Sequence, residues 1–409
     1  MKVMTGILRL LSIASRALLI YVFAYFAKPF DVATFSLINA YAGLFVIANG
    51  FDLTRAAQRD IKINFEVIRA EVVLKNIFSF FALYYILFFF LTLVCAAILD
   101  FNISLVVFFL FLVLFEHLSQ EASRLLVVSN RQFDAGASLF IRSFFPLVFL
   151  IVGRFFELSL TLNFLLATLC FWSFISFIFT WRRLLNVYSI TMGYFLRLKV
   201  FSFKYILSCF SYSLFFFIST VVAKMLFALD KSLIDEFVGA EMLATYALVL
   251  GVGMVSAPLV DILFGSYSLP QLFDAIDHNR NELRRIFKKY FSQVIVFLII
   301  YYIFSLMMVS YLFPVFFPAY EFQSMEFFSV VLLLPVIFSM SIIPSQVLIV
   351  SSQSKILAVS SIVSIFACLS LSAIMRDMSL GIVYAFLLGI LILCVIRFYF
   401  AAREVLRGF

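Results

Sequence analysis

Twelve stretches of nearly unbroken apolar residues, parted by short polar turns, make up most of this chain. They fall at 7–27, 32–50, 77–99, 105–128, 135–152, 160–179, 205–229, 242–263, 290–313, 327–350, 356–374 and 380–401. A hydrocarbon layer roughly 30 Å thick needs about 20 residues of helix to cross it. Lipid offers no partner to unpaired backbone N–H and C=O groups, so runs of this length predict helices. The expected fold class is an all-α membrane protein with about twelve transmembrane helices.

The polar turns sharpen that picture. If the chain starts inside, 23 of its 30 Lys and Arg fall on the cytoplasmic side. Lys28, Arg154, Lys231 and Arg376 fall outside, and Arg16, Arg142 and Lys224 remain within spans. Such a bias predicts a multi-pass protein with both termini cytoplasmic and an even number of spans. The net charge of +8 sits in short inner loops, where it orients helices and meets anionic lipid, which argues against nucleic acid as a partner. A hydrophobic fraction of 65% excludes a soluble domain of this size. Cys95, Cys170, Cys209, Cys368 and Cys394 stand singly in apolar runs, without metal-ligand spacing, and read as packing residues.

The loop after Trp181 divides the spans six and six. It predicts an N-terminal six-helix lobe at 1–181, a cytoplasmic linker at 182–204 and a C-terminal six-helix lobe at 205–409. A weak repeat supports the division: Ala33-Thr34-Phe35-Ser36-Leu37 opens span two, and Ala244-Thr245-Tyr246-Ala247-Leu248 opens span eight. Six spans per half preserve direction, so the halves would be parallel repeats. Segment 270–290 reads as an interfacial amphipathic helix. Pro258, Pro335 and Pro344 each remove a helix hydrogen bond and mark bends.

Charges inside spans are costly and normally face a cavity or a partner. Arg16 lies about 14 Å of helix rise from Ile7, out of easy reach of either surface. Two readings stand for it: lining an anion-accepting cavity, or bonding neighbouring helix carbonyls. Lys224 and Arg142 either line the same cavity or snorkel to the headgroups. Span four carries a polar stripe, with Glu116, Gln120 and Arg124 at i, i+4, i+8 and His117 and Glu121 at i, i+4. It is either an internally paired seam, Glu121 with Arg124, or a proton or cation site. On the functional readings, Arg16, Lys224, Arg142 and Arg124 are the candidate substrate-binding residues. Glu116, His117 and Glu121 are the candidate ion-coupling residues. No Gly-rich run precedes a Lys-Ser or Lys-Thr pair, so energy would come from a gradient or the membrane potential.

Leu229-Asp230-Lys231, then Gly239, then Tyr246-Ala247 resemble the outer turn between spans seven and eight of bacterial polysaccharide-unit flippases. Pro258 and segment 266–270 sit where that family has a kinked helix and an inner turn, and 116–131 is similar to its fourth span and following loop. The chain thus resembles the O-antigen (Wzx-type) flippases of the multidrug/oligosaccharidyl-lipid/polysaccharide exporter superfamily. The resemblance implies two six-helix lobes around a central cationic cavity in a bacterial cytoplasmic (inner) membrane. It implies transfer of an undecaprenyl-pyrophosphate-linked oligosaccharide between leaflets by alternating access, with no bond made or broken and no cofactor. The implied partners are that lipid-linked substrate, membrane lipid, and polysaccharide polymerase and chain-length proteins. Two alternatives stay open: a multidrug/cation antiporter of the same superfamily, and a membrane polysaccharide polymerase or ligase.

Overall fold

The computed structural model describes residues 2–63, 67–188, 202–278, 280–320, 324–376, 378 and 380–406. Among the described residues the regular structure is entirely helical, and twelve helices are long and apolar enough to cross a membrane. Spans one to seven are α1 (Lys2–Phe26), α2 (Pro29–Ala48), α4 (Val67–Ile98), α5 (Ile103–Val128), α6 (Gln132–Phe155), α7 (Leu162–Val187) and α8 (Phe203–Phe237). Span eight is broken into α9 (Ala240–Met254), α10 (Ser256–Val260), a π turn (Asp261–Gly265) and α11 (Ser266–His278). Span nine is α12 (Arg280–Phe316), and span ten is broken into α13 (Met325–Met340) and α14 (Ile342–Val350). Spans eleven and twelve are α15 (Ser354–Met375) and α16 (Gly381–Leu406).

Local chemistry sets the ends. The Asn102 side chain accepts from the Ser104 and Leu105 amides, and Thr161 and Ser324 cap spans six and ten in the same way. Gly239 opens span eight at φ 111°, a conformation that a β-carbon would strain. The two repeat segments share a register, each starting at the fifth residue of its helix.

Four expectations need revision. The stretch from Asp230 to Phe237 is not an outer turn, because α8 continues through it and the chain turns at Val238-Gly239. Segment 270–290 is not one helix; it comprises the end of α11 and the start of α12, with Asn279 outside the described residues. The loop between spans two and three holds an unanticipated helix, α3 (Leu53–Ile63), whose Leu53, Ala56 and Ala57 are fully buried. Its apolar face is too short to stand out against the spans, yet wide enough to dock. Arg397 does not belong with the loop charges; it lies inside span twelve and is buried. Most of the expected linker, 189–201, falls outside the described residues.

The helices gather into two compact units. The first comprises Met1–Leu19 and Tyr41–Phe217. Its core joins Leu53, Ala57, Leu74, Ile77, Phe81, Leu125, Leu126 and Leu184. Spans four, five and six are tied by hydroxyls: Ser119 to Ser138 and Ser176 (3.1 Å each), Ser138 to Ser176 (2.9 Å), and Thr180 donating to Ser138 (2.6 Å). Small hydroxyl residues let membrane helices approach closely, and each interhelical bond contributes about 0.6 kcal/mol. In span one, by contrast, Ser12 and Ser15 donate to carbonyls of their own helix, Leu8 and Leu11.

The second unit comprises Ile20–Ala40 and Ile218–Phe409. The Tyr21 hydroxyl donates to the Leu248 carbonyl (3.0 Å) and the Tyr320 hydroxyl to that of Ala24 (3.1 Å). The breaks in spans eight and ten meet. Ser256 and Ser339 hydroxyls lie 2.8 Å apart, and Gln346 donates to the Gly265 carbonyl (3.2 Å) while accepting from Ser268 (2.6 Å). A carbonyl loosened by a π turn needs such a partner within lipid.

Candidate functional site

In the first unit the span-four stripe resolves into two ionic groups. In one, the Glu116 carboxylate lies 3.5 Å from the Arg16 guanidinium, whose side chain remains 49% exposed near the middle of span one. Arg142, buried near the middle of span five, donates to the Glu116 carbonyl oxygen (3.4 Å), and its Nε has no hydrogen-bond partner. Two guanidinium groups therefore meet at one acidic residue, Arg16 at its carboxylate and Arg142 at its backbone carbonyl, leaving an excess positive charge at mid-span. A half-exposed cation beside a buried one is suited to holding an anion.

The second group sits one turn along. Glu121, 2% exposed, accepts from Arg124 (2.8 Å) and from the Thr54 hydroxyl. Arg124 also reaches Asp52 (3.4 Å), which Arg55 holds at 2.9 Å, and Gln58 donates to the Arg124 carbonyl (3.1 Å). Asp52 precedes α3 and lies outside the spans. Burial pushes its carboxyl above the ordinary aspartate range; Arg55 and Arg124 oppose that shift and Glu121 adds to it. Two acids and two cations are drawn together here, so the group is charge-balanced as far as these four residues go.

His117 joins neither group directly. Its ring is fully buried, edge-on to Phe81 (centroids 4.7 Å apart) and beside Tyr85 (5.6 Å), and neither ring nitrogen has a hydrogen-bond partner. Gly50 leaves room for it, since a β-carbon there would stand 3.1 Å from Nε2. Lys224 belongs to the second unit and is exposed. It lies 13 residues before the end of α8, about 20 Å of rise, far deeper than the apolar pattern suggests.

Three features escaped the sequence reading. Asp52, Thr54 and Arg55 complete the Glu121 group; the signal was the amphipathic pattern of 53–63. In the second unit the buried Asp230 carboxylate accepts from the Tyr246 hydroxyl (2.5 Å) and from the Lys231 amide (2.6 Å). There too, the Arg397 guanidinium donates to Ser219, Ser345 and Ser360 (3.1 Å each) and to Ser361 (2.8 Å). Among the described residues no group of His, Cys, Asp and Glu is arranged to hold a metal ion.

No protein-family model matches the sequence, and no curated protein is similar to it. Solved structures are. An inward-facing multidrug resistance MATE family transporter of the MOP superfamily matches at TM-score 0.74 and 11% identity, over 98% of this chain and 98% of that one. The lipid II flippase MurJ, in an inward closed conformation, matches at TM-score 0.75 and 10% identity, over 99% of this chain and 89% of that one. A mutant of the Vibrio cholerae MATE transporter VcmN matches at TM-score 0.59 and 13% identity, over 99% of this chain and 94% of that one. At such identities the likeness is one of fold: this chain folds as MATE transporters and MurJ do.

Proposed function

We propose that this chain is a transporter that flips an undecaprenyl-pyrophosphate-linked oligosaccharide, such as an O-antigen repeat unit, between leaflets of a bacterial cytoplasmic membrane. The observation that carries the reading is Arg16, a half-exposed guanidinium at mid-span paired with the Glu116 carboxylate, beside a buried Arg142 that donates only to the Glu116 backbone carbonyl. A diphosphate offers several oxygens to a planar cation and outcompetes a single carboxylate. Arg142 and Arg124 of the same unit are further candidates for the head group, Lys224 is a separate candidate on the second unit, and the isoprenoid chain stays in lipid. The fold shared with a lipid-linked-substrate flippase supports the substrate class. No covalent step is involved, and cooperation with a polymerase and chain-length proteins would follow from the product's fate. The direct test is a deletion strain: lipid-linked sugar units should accumulate on the inner leaflet, and their normal export would refute the reading.

A multidrug/cation antiporter is the second reading, favoured by the likeness to MATE transporters. Purified protein in proteoliposomes separates the two, by movement of lipid-linked sugar against movement of organic cations.

Ion coupling is assigned to Glu116, with His117 and Glu121 as further candidates. Glu116 already touches the proposed substrate cation, so substrate binding and release of the carboxylate are linked. Glu116→Gln keeps size and polarity but cannot titrate. We expect flipping by this variant to lose its dependence on an imposed pH or sodium gradient, and His117→Asn, measured beside it, decides whether His117 shares the role. Equal gradient dependence in wild type and Glu116→Gln would remove the residue from coupling.

The proposed orientation places both termini in the cytoplasm. Single cysteines at Ser104, Ser159 and Val238 should label from outside, and one at Ser354 should not. Val238 is the probe of the turn after span seven, since α8 runs through Phe237. Labelling of Val238→Cys only from the cytoplasm would reverse the assignment.

A further inference from the structure

Arg397 is 6% exposed within span twelve, and the side chains that accept its hydrogen bonds are all neutral. A buried charge normally takes an acid. Here four of its five N–H groups go to hydroxyls from spans seven (Ser219), ten (Ser345) and eleven (Ser360, Ser361). These hydroxyls are set for a cation. Ser345 donates its own proton to the Ser341 carbonyl (2.6 Å) and Ser360 to that of Leu357 (2.9 Å), so lone pairs are left to face the guanidinium. Bonds to neutral hydroxyls can be exchanged without stranding a carboxylate in lipid, as breaking a buried ion pair would.

Ser345 gives the cage its significance. It rides on α14, the short second piece of span ten, one turn past the break at Ser341. Its neighbour Gln346 is engaged on another span: it bonds the Gly265 carbonyl in the π turn and Ser268 just beyond. The nine residues of α14 are therefore gripped at adjacent positions by Arg397 and by Gln346, and begin at a helix break.

We propose that α14 is a movable half-helix of the second unit, and that Arg397 and Gln346 are positioning residues whose contacts are made and released during transport. The proposal rests on the transporter reading but has its own readout. Nitroxides placed at Ser351→Cys, just past α14, and Val359→Cys, on α15, report the α14 position by their distance distribution in nanodiscs. Arg397→Ala should broaden that distribution and slow flipping by about tenfold or more. Guanidinium chloride at low millimolar concentration should restore both, by refilling the hydroxyl cage. Arg397→Lys should be intermediate, since it keeps the charge without the planar fork. Gln346→Leu should broaden the distribution without responding to guanidinium. An unchanged distribution in both Arg397→Ala and Gln346→Leu would overturn the proposal. So would a loss of flipping in Arg397→Ala with the distribution unmoved. If wild-type protein flips no lipid-linked sugar, the substrate reading fails while the distance measurements still decide the role of Arg397.

Discussion

Arg16→Ala is expected to reduce flipping of lipid-linked sugar by about 100-fold or more, on the basis of two lost charge-assisted bonds at about 1.5–3 kcal/mol each. The guanidinium is half exposed at mid-span, so it is available to a ligand rather than consumed by packing. Its loss also strips Glu116 of its ion-pair partner, and a carboxylate left so in lipid costs stability. The double variant Arg16→Ala/Glu116→Gln removes that penalty, and its comparison with Glu116→Gln alone isolates the effect of Arg16 on transport. It should fold near wild-type yield and still not flip. Arg16→Lys should keep part of the activity, because an ammonium holds the charge but not the bidentate geometry. Normal flipping by Arg16→Ala would end the cationic-site hypothesis at its central residue.

The second large effect is expected at Glu121. Glu121→Leu leaves Arg124 and the Thr54 hydroxyl without their shared acceptor. Breaking a buried pair on one side costs about 3–5 kcal/mol. Arg124 keeps Asp52 at 3.4 Å and part of its side chain is solvent-accessible. The expected loss is therefore about 2–4 kcal/mol, measured by equilibrium unfolding in mixed micelles. A cycle with Arg124→Leu should show strong coupling, with the double variant more stable than the sum of the single losses implies. The same measurements choose between the two readings of Glu121. A seam predicts lost stability with flipping per folded molecule preserved. A coupling site predicts the reverse, stability near wild type and flipping no longer driven by a gradient.

Span number and type were legible because a hydrocarbon layer imposes one length and one kind of backbone, and hydropathy reports both. Polar residues at helix ends were harder. Asp230 and Lys231 looked like a turn because nothing local shows that the Tyr246 hydroxyl, sixteen residues on, donates to the Asp230 carboxylate. Arg397 looked like a loop charge for the same reason: its acceptors are serines as far as 178 residues away, and serine is unremarkable in an apolar run. Arg16 could be singled out because it lies far from both ends of its span. Its pairing with Glu116 was invisible, since spacing along span four says which residues share a face but not which neighbour that face meets.

The hydroxyls of the first unit carry a mechanical consequence. Ser119, Ser138, Ser176 and Thr180 bond across helices, so shearing span four, five or six past the others must break a ladder of hydrogen bonds in lipid, where no water can take over. Ser12 and Ser15 spend their protons on their own helix, and span one can slide or roll at these positions with no bond undone. The two styles amount to a weld and a bearing cut from the same residue type. Backbone amides of spans four to six should therefore exchange with solvent as a single slow block, and those flanking Arg16 should exchange ahead of them.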